Sequence, residues 1–211
     1  SRCLQFDVGN SSAKWRLAEG GAVIARGRYL SADEDSLRAL LASVTQVDDI
    51  WIASVAGPGA ERALAEMCLH SWGVTPRFAR TAAETAGLRN SYADPARMGV
   101  DRWLAMLGGR QHVAGRLCVV DAGSALTIDL VAADGRHEGG YIIPGPALME
   151  RALLLDTDRV RFAEDVDYAL APGTSTAEAV RHGIALAQAG AVLAALARCV
   201  DDPPALLFCG G

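Results

Sequence analysis

Apolar and polar positions along this chain switch repeatedly between the period of a strand and that of a helix. Leu4 to Phe6 is an apolar, strand-like run that ends in Asp7-Val8-Gly9 and small polar residues. Two runs, Asp7 to Leu17 and Ala22 to Leu30, are separated by Glu19-Gly20-Gly21, so a β-hairpin is predicted. Leu37, Leu40, Leu41 and Val44 then share one helical face. Trp51 to Val55 reads as a short buried strand ending at Gly57-Pro58-Gly59. Pro58 opens a helix that carries Leu64 and Met67 and stops at Gly73, and a strand from Val74 to Phe78 follows. Alternation of this kind predicts a partly parallel sheet covered by helices.

The opening pattern then recurs. A helix beginning at Met98 to Asp101 carries Leu104 and Leu107 and is predicted to end at Gly108-Gly109. Beyond it, Cys118-Val119-Val120-Asp121-Ala122-Gly123-Ser124 again runs an apolar strand into Asp-x-Gly and a hydroxyl residue. A hairpin over Leu117 to Leu130 and a third run from Gly139 to Ile143 complete the repeat. Ser175 to Glu178 spells Ser-x-x-Glu, a capping box opening a long helix through Ala197. The chain therefore divides into halves of 1–115 and 116–211, each begun by an Asp-x-Gly hairpin.

Bulk properties narrow the function classes. The 211 residues are 51% hydrophobic and 21% charged, the balance of an ordinary globular protein. A net charge of −5 argues against a nucleic-acid partner, because no basic stripe is on hand to neutralise phosphates. Five cysteines without a C-x-x-C pair point to a reducing, cytoplasmic setting, with Cys3, Cys118 and Cys209 expected as small buried hydrophobes. The Ala-rich run from Ile184 to Val200 is interrupted by Gln188, Gly190 and Arg198. It is expected to be a buried amphipathic helix rather than a membrane span.

Three clusters carry candidate chemistry. The segment Asp7-Val8-Gly9-Asn10-Ser11-Ser12-Ala13-Lys14 offers a tight glycine turn, hydroxyl and backbone donors, and a lysine two strand positions beyond Ser12. Such a loop suits phosphate oxygens, and Asp7 suits Mg²⁺, directly or through water. A plain hairpin in which Asp7 and Asn10 bond their own backbone accounts for the same residues. Asp121-Ala122-Gly123-Ser124, with Thr127, lacks a basic residue and suits hydroxyl contact with a nucleotide and a cation at Asp121. A capped turn would look the same. Tyr92 and Gly99-Val100-Asp101-Arg102 form the third cluster. There Asp101 can accept a hydroxyl proton and Arg102 can fork onto a carboxylate or phosphate; a helix-start aspartate beside a solvated arginine is the plain alternative. Thr176 sits on the first turn of the capped helix. His70, His112, His137 and His182 lack metal-ligand spacing and are expected at the surface or at helix ends.

Together the motifs resemble the type III pantothenate kinase family, within the acetate and sugar kinase/Hsp70/actin superfamily. The resemblance rests on Asp7-Val8-Gly9-Asn10-Ser11 with Lys14, Gly99-Val100-Asp101-Arg102, Asp121-Ala122-Gly123-Ser124 and Gly139-Gly140-Tyr141-Ile142-Ile143-Pro144-Gly145. Ser175-Thr176 and Gly210-Gly211 extend it over essentially the whole chain. It implies an α/β fold of two ribonuclease-H-like (actin/Hsp70-type) halves, each a mixed sheet opened by a hairpin and flanked by helices, with a cleft between. It also implies ATP-dependent phosphorylation of pantothenate. ATP would lie on the Asp7-to-Lys14 loop and Ser124, and Asp101 would be the general base. Tyr92, Gly99, Val100, Arg102 and Thr176 would line the acceptor site, and Asp121 would hold a monovalent cation, K⁺ or NH₄⁺, beside MgATP. A cytoplasmic homodimer with no nucleic-acid or membrane partner is the expected setting.

Two departures stand out. Serine replaces the usual threonine at Ser11 and Ser124, which keeps the hydroxyl but loses the methyl that stiffens χ1. The chain also stops at Gly210-Gly211, directly after a strand-like run, and a further carboxyl-terminal element is expected. A non-catalytic nucleotide-binding regulator of the same fold, or a related phosphotransferase or polyphosphate-type phosphatase, would share most of these motifs.

Overall fold

The computed structural model describes residues 1–10 and 12–210. Ser11 of the first loop, and Gly211 of the terminal Gly-Gly pair, therefore lie outside the described residues.

Among the described residues, seven strands and two α-helices come before the helix that starts at Val100. Strands β1 (Arg2–Val8), β2 (Ala13–Glu19) and β3 (Ala22–Tyr29) lead to helix α1 (Glu34–Ser43), strand β4 (Asp49–Ser54) and helix α2 (Pro58–Trp72). Short strands β5 (Arg77–Phe78), β6 (Glu84–Thr85) and β7 (Leu88–Arg89) follow. Helix α3 (Val100–His112) leads into β8 (Leu117–Ala122), β9 (Ala125–Val131) and β10 (His137–Pro144). Helices α4 (Pro146–Asp156) and α5 (Thr176–Ala197) precede β11 (Ala205–Gly210).

The chain forms two compact units. The first comprises Ser1–Ala82 with Ala96–Trp103, and the second Ala83–Pro95 with Leu104 onward. Strands in the first unit lie in the order β3-β2-β1-β4-β5, and in the second β10-β9-β8-β11. In each sheet the opening strand pairs antiparallel with its hairpin partner and parallel with a later strand: β1 with β4, and β8 with β11. The repeat of Asp-x-Gly motifs is thus a repeat of mixed-sheet topology, as the α/β expectation required.

Alternation builds the first core. Leu4 and Phe6 of β1 and Ala13, Trp15 and Leu17 of β2 point to one face, where they meet Leu40, Ile50, Ile52 and Leu64. Trp15 lies across the strand pair over Gly27, where a Cβ would come within 2.6 Å of its ring. Helix α2 begins with Pro58 and ends on Gly73 at φ +69°, whose N–H donates to the Leu69 carbonyl. In the second unit the first four residues of β8 are buried, because helical and sheet neighbours cover the strand on both faces. Cys118, Ile128 and Leu130 pack there with Ala195 of α5.

Several expectations change. Helix α3 does not stop at Gly108-Gly109 but runs on to His112. Gly109 is needed inside it, since a Cβ there would lie 2.6 Å from Leu117 Cδ2 where helix and strand approach. Leu41 and Leu104 are exposed, whereas Leu40 in α1, and Val100, Trp103 and Met106 in α3, are buried. The buried cysteines are Cys68, Cys118 and Cys199, while Cys3 is half-buried and Cys209 exposed. Helix α5 is long and apolar enough, by length and composition alone, to cross a membrane. It is not a buried helix: Ala177, Ile184 and Ala195 are buried, yet Leu186 is 61% and Leu193 66% exposed. One face packs on the second sheet, and the other carries its apolar side chains outward.

Candidate functional site

The first hairpin places Asp7 and Lys14 directly opposite one another across β1 and β2. Its turn is closed by the Gly9 N–H donating to the Ser12 carbonyl at 3.0 Å. Val8 pairs with Ala13, and the Val8 carbonyl also accepts from the Val55 N–H at 3.0 Å, which ties the turn to the chain leaving β4. Asp7, Asn10 and Lys14 are exposed around this turn.

Asp101 belongs to the same unit, in the first turn of α3. Its Oδ1 accepts from the Arg102 N–H at 2.8 Å, so it caps its own helix start. A Cβ at Gly99 would lie 2.5 Å from that oxygen, so only glycine leaves the carboxylate in place. The Asp7 pKa is raised, first by partial desolvation and then by the negative charge of Asp101, with Lys14 pulling the other way. The fold has thus gathered two carboxylates and a lysine into one field. Arg102 is not on a solvated face: it is 4% exposed. Val100 is buried beside it, and Gly99 is half-buried.

The second hairpin, in the other unit, sets Asp121 opposite Thr127. Its turn is closed by the Gly123 N–H donating to the Ala125 carbonyl at 3.0 Å, and Ser124 is exposed. Pro144-Gly145 folds onto this turn: the Gly145 N–H donates to the Ser124 carbonyl at 3.0 Å, and a Cβ there would lie 2.5 Å from that oxygen. Gly139, by contrast, is required by its φ of +128° beside a β-bulge, with no close neighbour. A Cβ at Gly210 would meet Asp121 Oδ1 at 2.6 Å, so the end of β11 packs closely against that carboxylate and needs glycine there. Cys209, opposite Asp121, has its pKa pushed up to about 11, by burial first and then by Asp121.

Thr176 lies at the start of α5, whose N-cap Ser175 accepts from the Glu178 N–H at 3.2 Å. Glu178 returns the bond to the Thr174 N–H at 2.7 Å, a capping box shifted by one residue. Thr176 also borders a cavity of about 700 Å³ between α4 and α5, walled mainly by apolar side chains including Leu148, Leu153, Val180 and Ile184.

No cluster of three or more histidine, cysteine or carboxylate side chains suited to a metal occurs among the described residues. Asp7 nevertheless fits a hard divalent cation that reaches the site with phosphate oxygens. Its carboxylate is partly desolvated and faces a second negative charge, so a bound cation would relieve both costs.

Sequence reasoning missed one constellation in the second unit. His137 is buried at 1% exposure and bonds Asp129, itself 2% exposed, at 2.8 Å. Its other ring nitrogen lies 2.7 Å from the Ser91 hydroxyl. The available signal was Asp129 inside the apolar strand Ala125–Val131, since a charge there needs a partner.

The type III pantothenate kinase family model matches residues 3–198. A type III pantothenate kinase of Marinobacter nauticus is 41% identical over 182 residues, covering 86% of this chain and 75% of the relative. That of Ectopseudomonas mendocina is 40% identical over 201 residues, covering 92% and 81%. Among solved structures, a Campylobacter jejuni protein described as a conserved Baf family transcriptional activator superposes with a TM-score of 0.61. It is 22% identical, with 99% of this chain and 83% of that chain covered, a likeness of fold. The ordered motifs, the repeated sheet topology and these relatives agree: the chain belongs to the type III pantothenate kinase family.

Proposed function

We propose that this chain phosphorylates pantothenate with ATP, giving 4′-phosphopantothenate, the first step towards coenzyme A. The observation that carries the chemistry is the shared field of Asp7, Lys14 and Asp101 in one unit. Lys14 and the donors of the Asp7-to-Lys14 loop (Val8, Gly9, Asn10, Ser11, Ser12 and Ala13 between them) neutralise and orient the triphosphate. Ser124 adds a hydroxyl contact. Mg²⁺ near Asp7, when bound, neutralises charge on the phosphate oxygens. Asp101 accepts the proton of the pantothenate hydroxyl as its oxygen bonds to the γ-phosphorus and the bond to the β-bridging oxygen breaks.

Tyr92, Gly99, Val100, Arg102 and Thr176 line the acceptor site, with the guanidinium of Arg102 forking onto the pantothenate carboxylate. Asp121, at the end of β8 beside the second hairpin turn, holds a monovalent cation, K⁺ or NH₄⁺. Residues 1–115 supply the first loop and most acceptor residues, and residues 116–211 the second loop and Thr176. The working form is a cytoplasmic homodimer. The outward apolar side chains of Ile142, Leu186, Leu193 and Phe208 support that assembly.

A coupled assay of ADP release, with and without pantothenate, in potassium and in sodium, tests the proposal. ADP release is expected only with pantothenate, faster in potassium, and reduced by roughly 10²–10⁴-fold in Asp101→Asn. ADP release indifferent to pantothenate would exclude this acceptor, and full activity of Asp101→Asn would exclude the base.

A further inference from the structure

The segment carrying Tyr92 is fastened to the hairpin of β9 and β10 within the second unit. The Arg89 N–H donates to the Gly135 carbonyl at 2.9 Å, and the Arg89 guanidinium meets Asp134 at 3.0 Å. Gly135, at φ +89°, lets the two backbones approach, because a Cβ there would strike the Gly87 carbonyl. Next along the segment, Ser91 Oγ lies 2.7 Å from His137 Nδ1, and the Tyr92 ring sits 6.3 Å from the imidazole, tilted by 47°. The Asn90 side chain folds the segment on itself, accepting from the Tyr92 N–H at 2.9 Å.

The imidazole has little freedom. A carboxylate only accepts, so His137 Nε2 carries the proton shared with Asp129 Oδ1 at 2.8 Å. In the neutral ring, Nδ1 is then the acceptor for the Ser91 hydroxyl; in the charged ring it donates to that oxygen. Ser91 is held in both states. Burying an aspartate and a histidine is costly, and an apolar pair would fill the same core volume more cheaply. Ser91 is exposed and Tyr92 half-buried, so the network reaches out of the core.

We infer that His137, oriented by Asp129, is a positioning residue for the acceptor: acting through Ser91, it sets where the Tyr92 side chain meets pantothenate. The inference rests on the reading that Tyr92 borders the pantothenate site. His137 touches neither substrate nor reacting atoms in this role. It converts a flexible approach of the tyrosine into a fixed one, which lowers the ordering cost of binding the acceptor.

Two variants test it. Ser91→Ala removes one exposed hydroxyl, and Asp129→Asn with His137→Gln neutralises the pair together. Initial rates with each substrate varied, and hydrogen exchange of residues 89–95, are measured on the full chain. Both variants should raise KM for pantothenate roughly two- to tenfold, the worth of about one hydrogen bond. KM for ATP and kcat should stay unchanged, and exchange over 89–95 should quicken. An unaltered KM for pantothenate in an active protein would overturn the inference, as would a rise in both KM values together with a lower Tm. If the parent chain ignores pantothenate, the proposed activity fails instead. The exchange arm then still decides whether His137 fastens the Tyr92 segment: unchanged exchange over 89–95 in both variants sinks the linkage.

Discussion

At the scale of single residues, Asp7 is a carboxylate whose surroundings cost the fold stability. Its pKa is raised by desolvation and by Asp101. Between the ordinary carboxylate range and the raised value, the folded chain therefore holds more protons than the unfolded one. Its contribution to stability accordingly falls as pH rises through that window. Asp7→Asn is expected to melt no lower than the parent at pH 7 while losing ATP turnover, a contrast that calorimetry and the ADP assay resolve together. Asp101→Asn removes the like charge, so the Asp7 carboxyl ¹³C titration should move down towards its usual range. Cys209 is exposed, yet its thiol titrates at about 11, so alkylation should be slow at pH 8 and accelerate only towards that value. Asp7, Lys14 and Asp101 were legible as candidates from their spacing around glycine turns, because that pattern is local. His137 was not. Nothing within a few residues of it distinguishes a surface histidine from one buried against a carboxylate on the neighbouring part of the strand pair and a serine 46 residues away.

Elements were legible where local signals end them. Pro58 and Gly73 bound α2, and Ser175 opens α5, wherever the helix lies: proline has no N–H to leave unpaired, the Gly73 N–H donates to the Leu69 carbonyl, and the Ser175 hydroxyl accepts from the Glu178 N–H. Ser175→Ala should cost about 1 kcal/mol and lower Tm by about 2–4 °C in thermal melts. Gly108-Gly109 misled as a terminus. The glycine serves a close helix–strand approach, which depends on Leu117 in another element. Gly145 is a similar case: a methyl there would press on the Ser124 and Gly123 carbonyls at 2.5 and 2.7 Å. Gly145→Ala should displace the second hairpin turn and raise KM for ATP roughly tenfold, about 1.4 kcal/mol, leaving KM for pantothenate unaltered in steady-state kinetics.

At the scale of the whole molecule, the outward Leu186 and Leu193, seven residues apart on α5, share one stripe. Sedimentation should show a dimer, and replacing both leucines by glutamate should shift it to monomer; a parent that sediments as a monomer removes the stripe from that role. The sequence by itself determined the order of the longer strands and helices and the repeated Asp-x-Gly hairpins, since each depends on periodicity and turn chemistry confined to a few neighbouring residues, and its ordered motifs carried the resemblance to the family. Only the tertiary structure decided which side chains are buried: Arg102 inside rather than solvated, Leu41 outside, α5 covered on one face, and His137 locked between Asp129 and Ser91. Burial and pairing are set by residues far apart in the chain, and the free energy of a charge depends on what surrounds it rather than on what precedes it.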